Sequence, residues 1–284
     1  MNIPKYWAKD MQSVTSPNGK AFFLVSWQWS DASQAEAAQR ARARVRDLAA
    51  KVQRNEPLQR YGYGKRPMRE EIIQGIKSRW GKEVGIVTRN GYGALVVNAT
   101  NAMFIDIDFE RESPAGMLKR LMNRLLGRQT LSAEDKHIAQ IEAWTQMRPD
   151  VGLHVYRTFG GLRCLVTNEV FEPMDDGALN ILRDLNSDPL YITLCKQQEC
   201  FRARLTPKPW RCDLPTPPAR YPFETEQALS RYREWEGRYK AGTAQFTACQ
   251  FVKHIGRNDV HPDVQPILDF HDQHACGNPQ LMLA

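Results

Sequence analysis

A chain of 284 residues with 42% hydrophobic residues, seven Trp and a formal charge of +7 can bury one large core or two modest ones. Its cation excess suits an anionic partner. No apolar run approaches the roughly 20 residues that cross a bilayer, and the opening MNIPKYWAKD lacks the apolar segment of a signal peptide. With six Cys in no disulfide-like framework, the expectation is a cytoplasmic globular protein without a membrane partner.

Residues 20–29, KAFFLVSWQW, read as a strand of bulky apolar and aromatic residues. Ser30 or Asp31 then caps a helix to about Gln53, with Ala37, Ala38, Ala41, Val45, Leu48 and Val52 at helical spacing. Arg40, Arg44, Lys51 and Arg54 line one edge of that stripe, and Arg42 and Arg46 the other. Such a face is either simply solvated or contacts phosphate. Residues 57–67, PLQRYGYGKRP, form a loop whose aromatic and basic residues suit bases and phosphates. A helix is predicted over 68–80, ending at Gly81. Strands at 82–87 and 93–98 follow, joined by the hairpin signal Asn90-Gly91.

The next stretch, NAMFIDIDFE at 101–110, is the most informative. In a strand, residues i and i+2 share a face, so Asp106 and Asp108 project together while Ile105 and Ile107 point away. Two carboxylates so placed repel unless a cation lies between them. A hard ion such as Mg²⁺, shared with substrate phosphates, meets that need. The plainer alternative is a buried strand whose end turns polar as it meets solvent.

Residues 111–127 read as a basic helix carrying Lys119, Arg120 and Arg124, and 132–147 as a structural helix capped by Ser132. In 153–167, LHVYRTFGGLRCLVT, two apolar strands flank a Phe159-Gly160-Gly161 turn. Thr158, Arg157 and Arg163 lie near these glycines, and backbone N–H groups with an Arg fork suit phosphate or carboxylate. Helices over 175–185 and 189–197 lead to 200–211, CFRARLTPKPWR. There Arg202 and Arg204 share a strand face, and Lys208, Trp210 and Arg211 follow. This cluster suits an anion, or else protects an edge strand.

Prolines 215, 217, 218 and 222 mark a linker. The expected organisation is an α/β domain over 1–212, a linker over 213–222 and a helical region over 223–284, with helices at 224–240, 243–255 and 261–274. These last helices are candidate contacts for a protein partner. Cys249, Cys276, His254, His261, His271 and His274 crowd here, but no C-x₂-C pair is present to indicate zinc.

In element order, and in the D-x-D and glycine-turn motifs, residues 20–211 resemble the archaeo-eukaryotic primase (primase-polymerase) superfamily. The resemblance implies an α+β fold, in which an N-terminal α/β unit precedes an RRM-like palm with a mixed or antiparallel sheet. It also implies that Asp106 and Asp108 are catalytic and bind Mg²⁺ or Mn²⁺. Arg163 stands where the second motif has a phosphate-binding His, alongside Thr158, Gly160 and Gly161. The third motif, a strand with a further metal-binding Asp, falls in 199–207. Arg202 and Arg204 occupy that strand, Lys208 follows it, and Glu199 is the acid nearest to it.

The implied activity is metal-dependent nucleotidyl transfer on a single-stranded or primed nucleic acid, with a nucleoside triphosphate as substrate. A non-catalytic nucleic-acid-binding protein with a palm-like fold is the alternative.

Overall fold

The computed structural model describes residues 1–58, 66–109, 132–278 and 280–284. The chain opens on a long antiparallel hairpin, β1 (Tyr6–Thr15) and β2 (Ala21–Ser30), paired from Tyr6–Ser30 to Thr15–Ala21. Helix α1 (Gln34–Gln53) packs on this hairpin. Ser33 is its N-cap, the hydroxyl accepting from Glu36 N–H. Ala37, Ala41, Val45, Ala49 and Val52 recur at helical spacing and are buried. Their small side chains let the helix lie close to the sheet. β1 itself, polar at its far end, carries too weak an apolar alternation for the sequence to declare it.

Residues 71–77, inside the helix expected over 68–80, instead form strand β3 (Glu71–Lys77). Ile72, Ile73 and Ile76 are β-branched and lose rotamer freedom in a helix. The edge of β4 (Glu83–Arg89) gives them a partner. β4 turns through Asn90, whose Oδ1 accepts from the backbone N–H groups of Tyr92 and Ala94, into β5 (Leu95–Ala99). Gly93 sits there at φ +82°, and a Cβ on it would meet the Trp235 ring at 2.2 Å. β5 pairs with β9 (Phe201–Arg204), giving an antiparallel sheet in the order β3-β4-β5-β9.

The second four-stranded sheet runs β11-β7-β8-β6, also antiparallel. It contains β6 (Phe104–Asp108), β7 (Gly152–Thr158), β8 (Gly161–Val166) and β11 (Cys249–Gly256). Helix α2 (Ala133–Met147) connects towards β7 and starts with a reciprocal capping box between Ser132 and Asp135. Helices α3 (Asp176–Asp184) and α4 (Pro189–Gln198) lead from β8 to β9, which lies beside β6. The two sheets therefore adjoin at the D-x-D strand.

After a 3₁₀ turn at Pro209–Cys212, helix α5 (Glu226–Gly242) is anchored to the earlier chain. Its Tyr239 hydroxyl donates to the Pro207 carbonyl at 2.6 Å, and Glu236 pairs with Arg89 at 2.6 Å. The helix expected over 243–255 is replaced by two strands, β10 (Phe246–Thr247) and β11. Phe251, Val252 and Ile255 are strand formers, and the open edge of β7 satisfies their backbone. Helix α6 (Gln265–Ala275) and the short strand β12 (Met282–Leu283) complete the chain. One buried cluster joins Phe104, Ile105, Val155, Leu165, Leu182 and Phe201 with Cys249, Ile267 and Leu268. Residues on both sides of the proline-rich stretch thus share a sheet and a core. The fold is α+β, as the element pattern predicts.

Candidate functional site

β6 delivers its carboxylates from a buried base: Phe104, Ile105 and Ile107 are in the core, while Asp108 is exposed and Asp106 half-buried. Asp106 lies across from Arg163 of β8. Arg163 Nε donates to Asp106 Oδ1 at 2.9 Å, and its Nη1 donates to the Arg204 carbonyl at 2.9 Å. Burial opposes the guanidinium charge, but the Asp106 carboxylate outweighs it and holds Arg163 above its usual range. Arg163 therefore joins β6, β8 and β9 at one point, and one oxygen of Asp106 is already engaged.

A third carboxylate arrives from an element that the sequence does not tie to β6. The N–H of Asp188 and the hydroxyl of Ser187 both donate to the Asp106 carbonyl at 2.9 Å. Asp188 is also the N-cap of α4, its carboxylate accepting from Leu190 and Tyr191 N–H at 3.0 and 3.3 Å. The signal Asp-Pro marks that helix start in the sequence, but not its position. Partial burial, then the charges of Asp188 and Asp106, raise the Asp108 carboxyl above its ordinary value, against the pull of Lys208 and Arg211.

The opposite wall is cationic. Burial and the neighbouring Arg163 push Arg204 down to about 10, and Lys208 is lowered by burial, Arg204 and Arg211. Exposed rings edge this wall. Arg211 lies over Phe159 at 4.1 Å, and Lys208 lies over Trp210, which meets Tyr92 edge-on at 5.0 Å.

The raised Asp108 carboxyl has a consequence for stability. The folded state binds more protons than the unfolded chain between the ordinary Asp value and the raised one, so this group removes stability as pH rises through that window. We expect Asp108→Asn to be more stable than wild type at pH 7, with the gain vanishing on acidification below the ordinary Asp range. Solvent screening holds the gain to about 1 kcal/mol or less. Urea melts at a series of pH values check this, and equal midpoints throughout would show that Asp108 feels no net repulsion.

The other residues singled out in sequence divide. Arg204 and Lys208 face the carboxylates. Arg202 does not contribute a phosphate contact: its Nη2 holds both oxygens of buried Glu70 at 2.8 and 2.9 Å. Glu199 ends α4, paired with the N-terminal amine at 3.6 Å. That puts it a helix length, about 15 Å, from Asp188, so it is no third ligand to the D-x-D pair. Gly160 and Gly161 serve the sheet. The Gly160 carbonyl accepts from Phe109 N–H at 2.9 Å, and a Cβ on Gly161 would lie 1.9 Å from the Ile107 carbonyl oxygen. The Thr158 carbonyl accepts from Arg157. The central part of the 57–67 loop and the basic helix expected over 111–127 lie outside the described residues.

A separate cleft of about 310 Å³ lies between Trp7, Trp27, Arg66, Arg69 and Arg220, with Arg69 stacked over Trp27 at 4.1 Å. It shares no lining residue with the carboxylate site. Among the described residues, no helix is long and apolar enough to cross a membrane. In comparisons with known proteins, the chain matches no family model, no curated protein and no solved structure.

Proposed function

We propose that the protein is a divergent primase-polymerase-like enzyme performing divalent-metal-dependent nucleotidyl transfer on nucleic acid or nucleotides. The observation that carries this reading is the pair Asp106 and Asp108 at one strand end, with the Asp188 backbone bonded to Asp106 and the charges of Lys208 and Arg211 acting on Asp108. The chain order β6-α2-β7-β8-α3-α4-β9, with β6 paired to β8 and β9 alongside it in the neighbouring sheet, supports it. That is the βαββαβ element order of ferredoxin-like and RRM-like folds, with β9 paired to β5 rather than to β6.

Asp106 and Asp108, one residue apart on β6, offer oxygen donors of the kind that Mg²⁺ or Mn²⁺ takes, while both Asp188 oxygens are engaged at the start of α4. Burial, then the charges of Asp188 and Asp106, raise Asp108, and a bound cation offsets such repulsion. When bound, the ion supplies charge stabilisation at the attacking and leaving oxygens of an in-line displacement. Asp106 and Asp108 would hold it, with Arg163 fixing the orientation of Asp106. Arg204, Lys208 and Arg211 would neutralise a triphosphate, while Phe159 and Trp210 offer faces on which bases stack. The expected partners are a single-stranded or primed nucleic acid and a nucleoside triphosphate.

The test is nucleotide incorporation on labelled single strands and primed duplexes with Mg²⁺ or Mn²⁺. Relative to wild type, Asp106→Ala/Asp108→Ala should lose at least about a hundredfold, and Glu199→Gln should be unchanged. A second reading rests on the Arg163–Asp106 pair, which already balances one carboxylate. It makes the protein a non-catalytic nucleic-acid binder. Tight, salt-sensitive oligonucleotide binding without turnover in any variant would select that reading and overturn the enzyme.

A further inference from the structure

Directly behind the carboxylate site lies a second constellation, built from β11, α6 and the residue after α6. Cys249 Sγ is 3.5 Å from Cys276 Sγ and 3.8 Å from His271 Nε2, and all three ligand atoms lie within 4.8 Å of one another. Cys249 and His271 are fully buried, and Cys276 is partly exposed. A disulfide would need about 2.05 Å between the sulfurs. A tetrahedral zinc ion, with Zn–S of about 2.3 Å and Zn–N of about 2.0 Å, separates its ligands by about 3.5–3.8 Å. The Cys249–Cys276 and Cys249–His271 spacings are close to those edges.

The orientation of His271 agrees. Its Nδ1 meets Asp272 Oδ1 at 2.9 Å, and its ring is packed against Phe104 and Tyr156 with centroids at 5.2 and 4.8 Å. With the Nδ1 proton donated to Asp272, Nε2 is left unprotonated, 3.8 Å from Cys249 Sγ and 3.4 Å from Arg163 Nη1. This is the carboxylate–histidine arrangement that orients metal-bound imidazoles. Two thiolates would balance a doubly charged ion in the core, leaving the Arg163–Asp106 pair balanced by itself. Sulfur and imidazole together favour zinc over Mg²⁺ or Ca²⁺.

We infer that Cys249, His271 and Cys276 form a zinc site, with Asp272 as the positioning residue of His271. The fourth position falls to solvent on the Cys276 side. The site draws its three protein ligands from β11, α6 and the residue after α6. It clamps α6 to β11, and His271 Nε2 lies 3.4 Å from Arg163 Nη1, beneath the guanidinium that holds Asp106. Sequence spacing alone does not reveal it, because 21 residues separate Cys249 from His271 and only the packing of α6 on β11 brings them together.

The test uses the full chain, purified without chelator and with any affinity tag removed. Elemental analysis should find about one zinc per chain, and Co²⁺ exchanged into the protein should give thiolate-to-metal charge-transfer absorption. Cys276→Ser, at the partly exposed ligand, should lose both signals. Asp106→Ala/Asp108→Ala should keep both, which separates this site from the proposed catalytic ion. Metal-free wild type with reduced thiols and no cobalt–thiolate band would overturn the inference. So would a Cys249–Cys276 disulfide in its place, or full zinc retention by Cys276→Ser. If Cys276→Ser fails to fold, Co²⁺ titration of chelator-treated wild type still decides, with absence of the thiolate band overturning the site.

Discussion

Arg202→Met alone is expected to destabilise the protein by about 3–5 kcal/mol, the cost of leaving a buried carboxylate without its partner. Glu70 is 1% exposed at its side chain and Arg202 9%. Arg202 Nη2 reaches both oxygens of Glu70, and the Thr88 hydroxyl donates to Oε2 at 2.5 Å. Asn98 Nδ2 donates in turn to Thr88 Oγ1 at 2.9 Å, so the network spans β4, β5 and β9. Without Arg202, Glu70 must either take up a proton or stay charged in the core. Glu70→Gln/Arg202→Met should recover much of the loss, because neither charge is then stranded. Denaturant midpoints for the two single variants and the double variant test this. A cost below 1 kcal/mol for Arg202→Met would mean that Glu70 reaches solvent after all.

The second large effect is expected at a glycine. Gly161→Ala should cost about 3 kcal/mol or more, at or above the upper end of ordinary overpacking. Its new Cβ would sit 1.9 Å from the Ile107 carbonyl oxygen and 3.0 Å from Asp108 Cα. Both are backbone atoms of β6, so no side-chain rotation relieves the clash. The strand that carries both carboxylates would have to move away from β8. Gly160→Ala is the control, since a Cβ there meets nothing within 4 Å, and it should change stability by less than about 1 kcal/mol. Thermal or denaturant melts of the two variants decide between a packing role and a ligand-binding role for this glycine pair. Equal, small effects would put the close approach in doubt and return the pair to the phosphate-cradle expectation.

The two glycines show how far residue type carries. Their sequence announces a hairpin turn with room for close backbone approach, and the hairpin is there between β7 and β8. What approaches is the neighbouring strand β6, an identity that only the pairing of β6 with β8 decides. Arg202 and Arg204 make the same point. Their alternation on β9 is legible in the sequence, yet one is sealed against Glu70 while the other looks onto Arg163 and Asp106. A strand face extends across neighbouring strands, and its environment changes within two residues.

By itself, the sequence determined the α+β class, the apolar stripe of α1, the capped start of α2, the β4–β5 and β7–β8 hairpins and the strand that presents Asp106 and Asp108. Each of these depends on local periodicity, turn chemistry or capping, which act over a few residues. Tertiary structure alone decided that residues 71–77 and 249–256 are strands. In both, β-branched residues met an open sheet edge that supplied the missing backbone hydrogen bonds. It also decided that the Asp188 N–H bonds to the Asp106 carbonyl while Glu199 lies at the other end of α4, and that Cys249, His271 and Cys276 converge. Those juxtapositions link residues 82 and 22 positions apart or more, beyond the reach of any local pattern. Only the burial of a shared core brings such distant residues together.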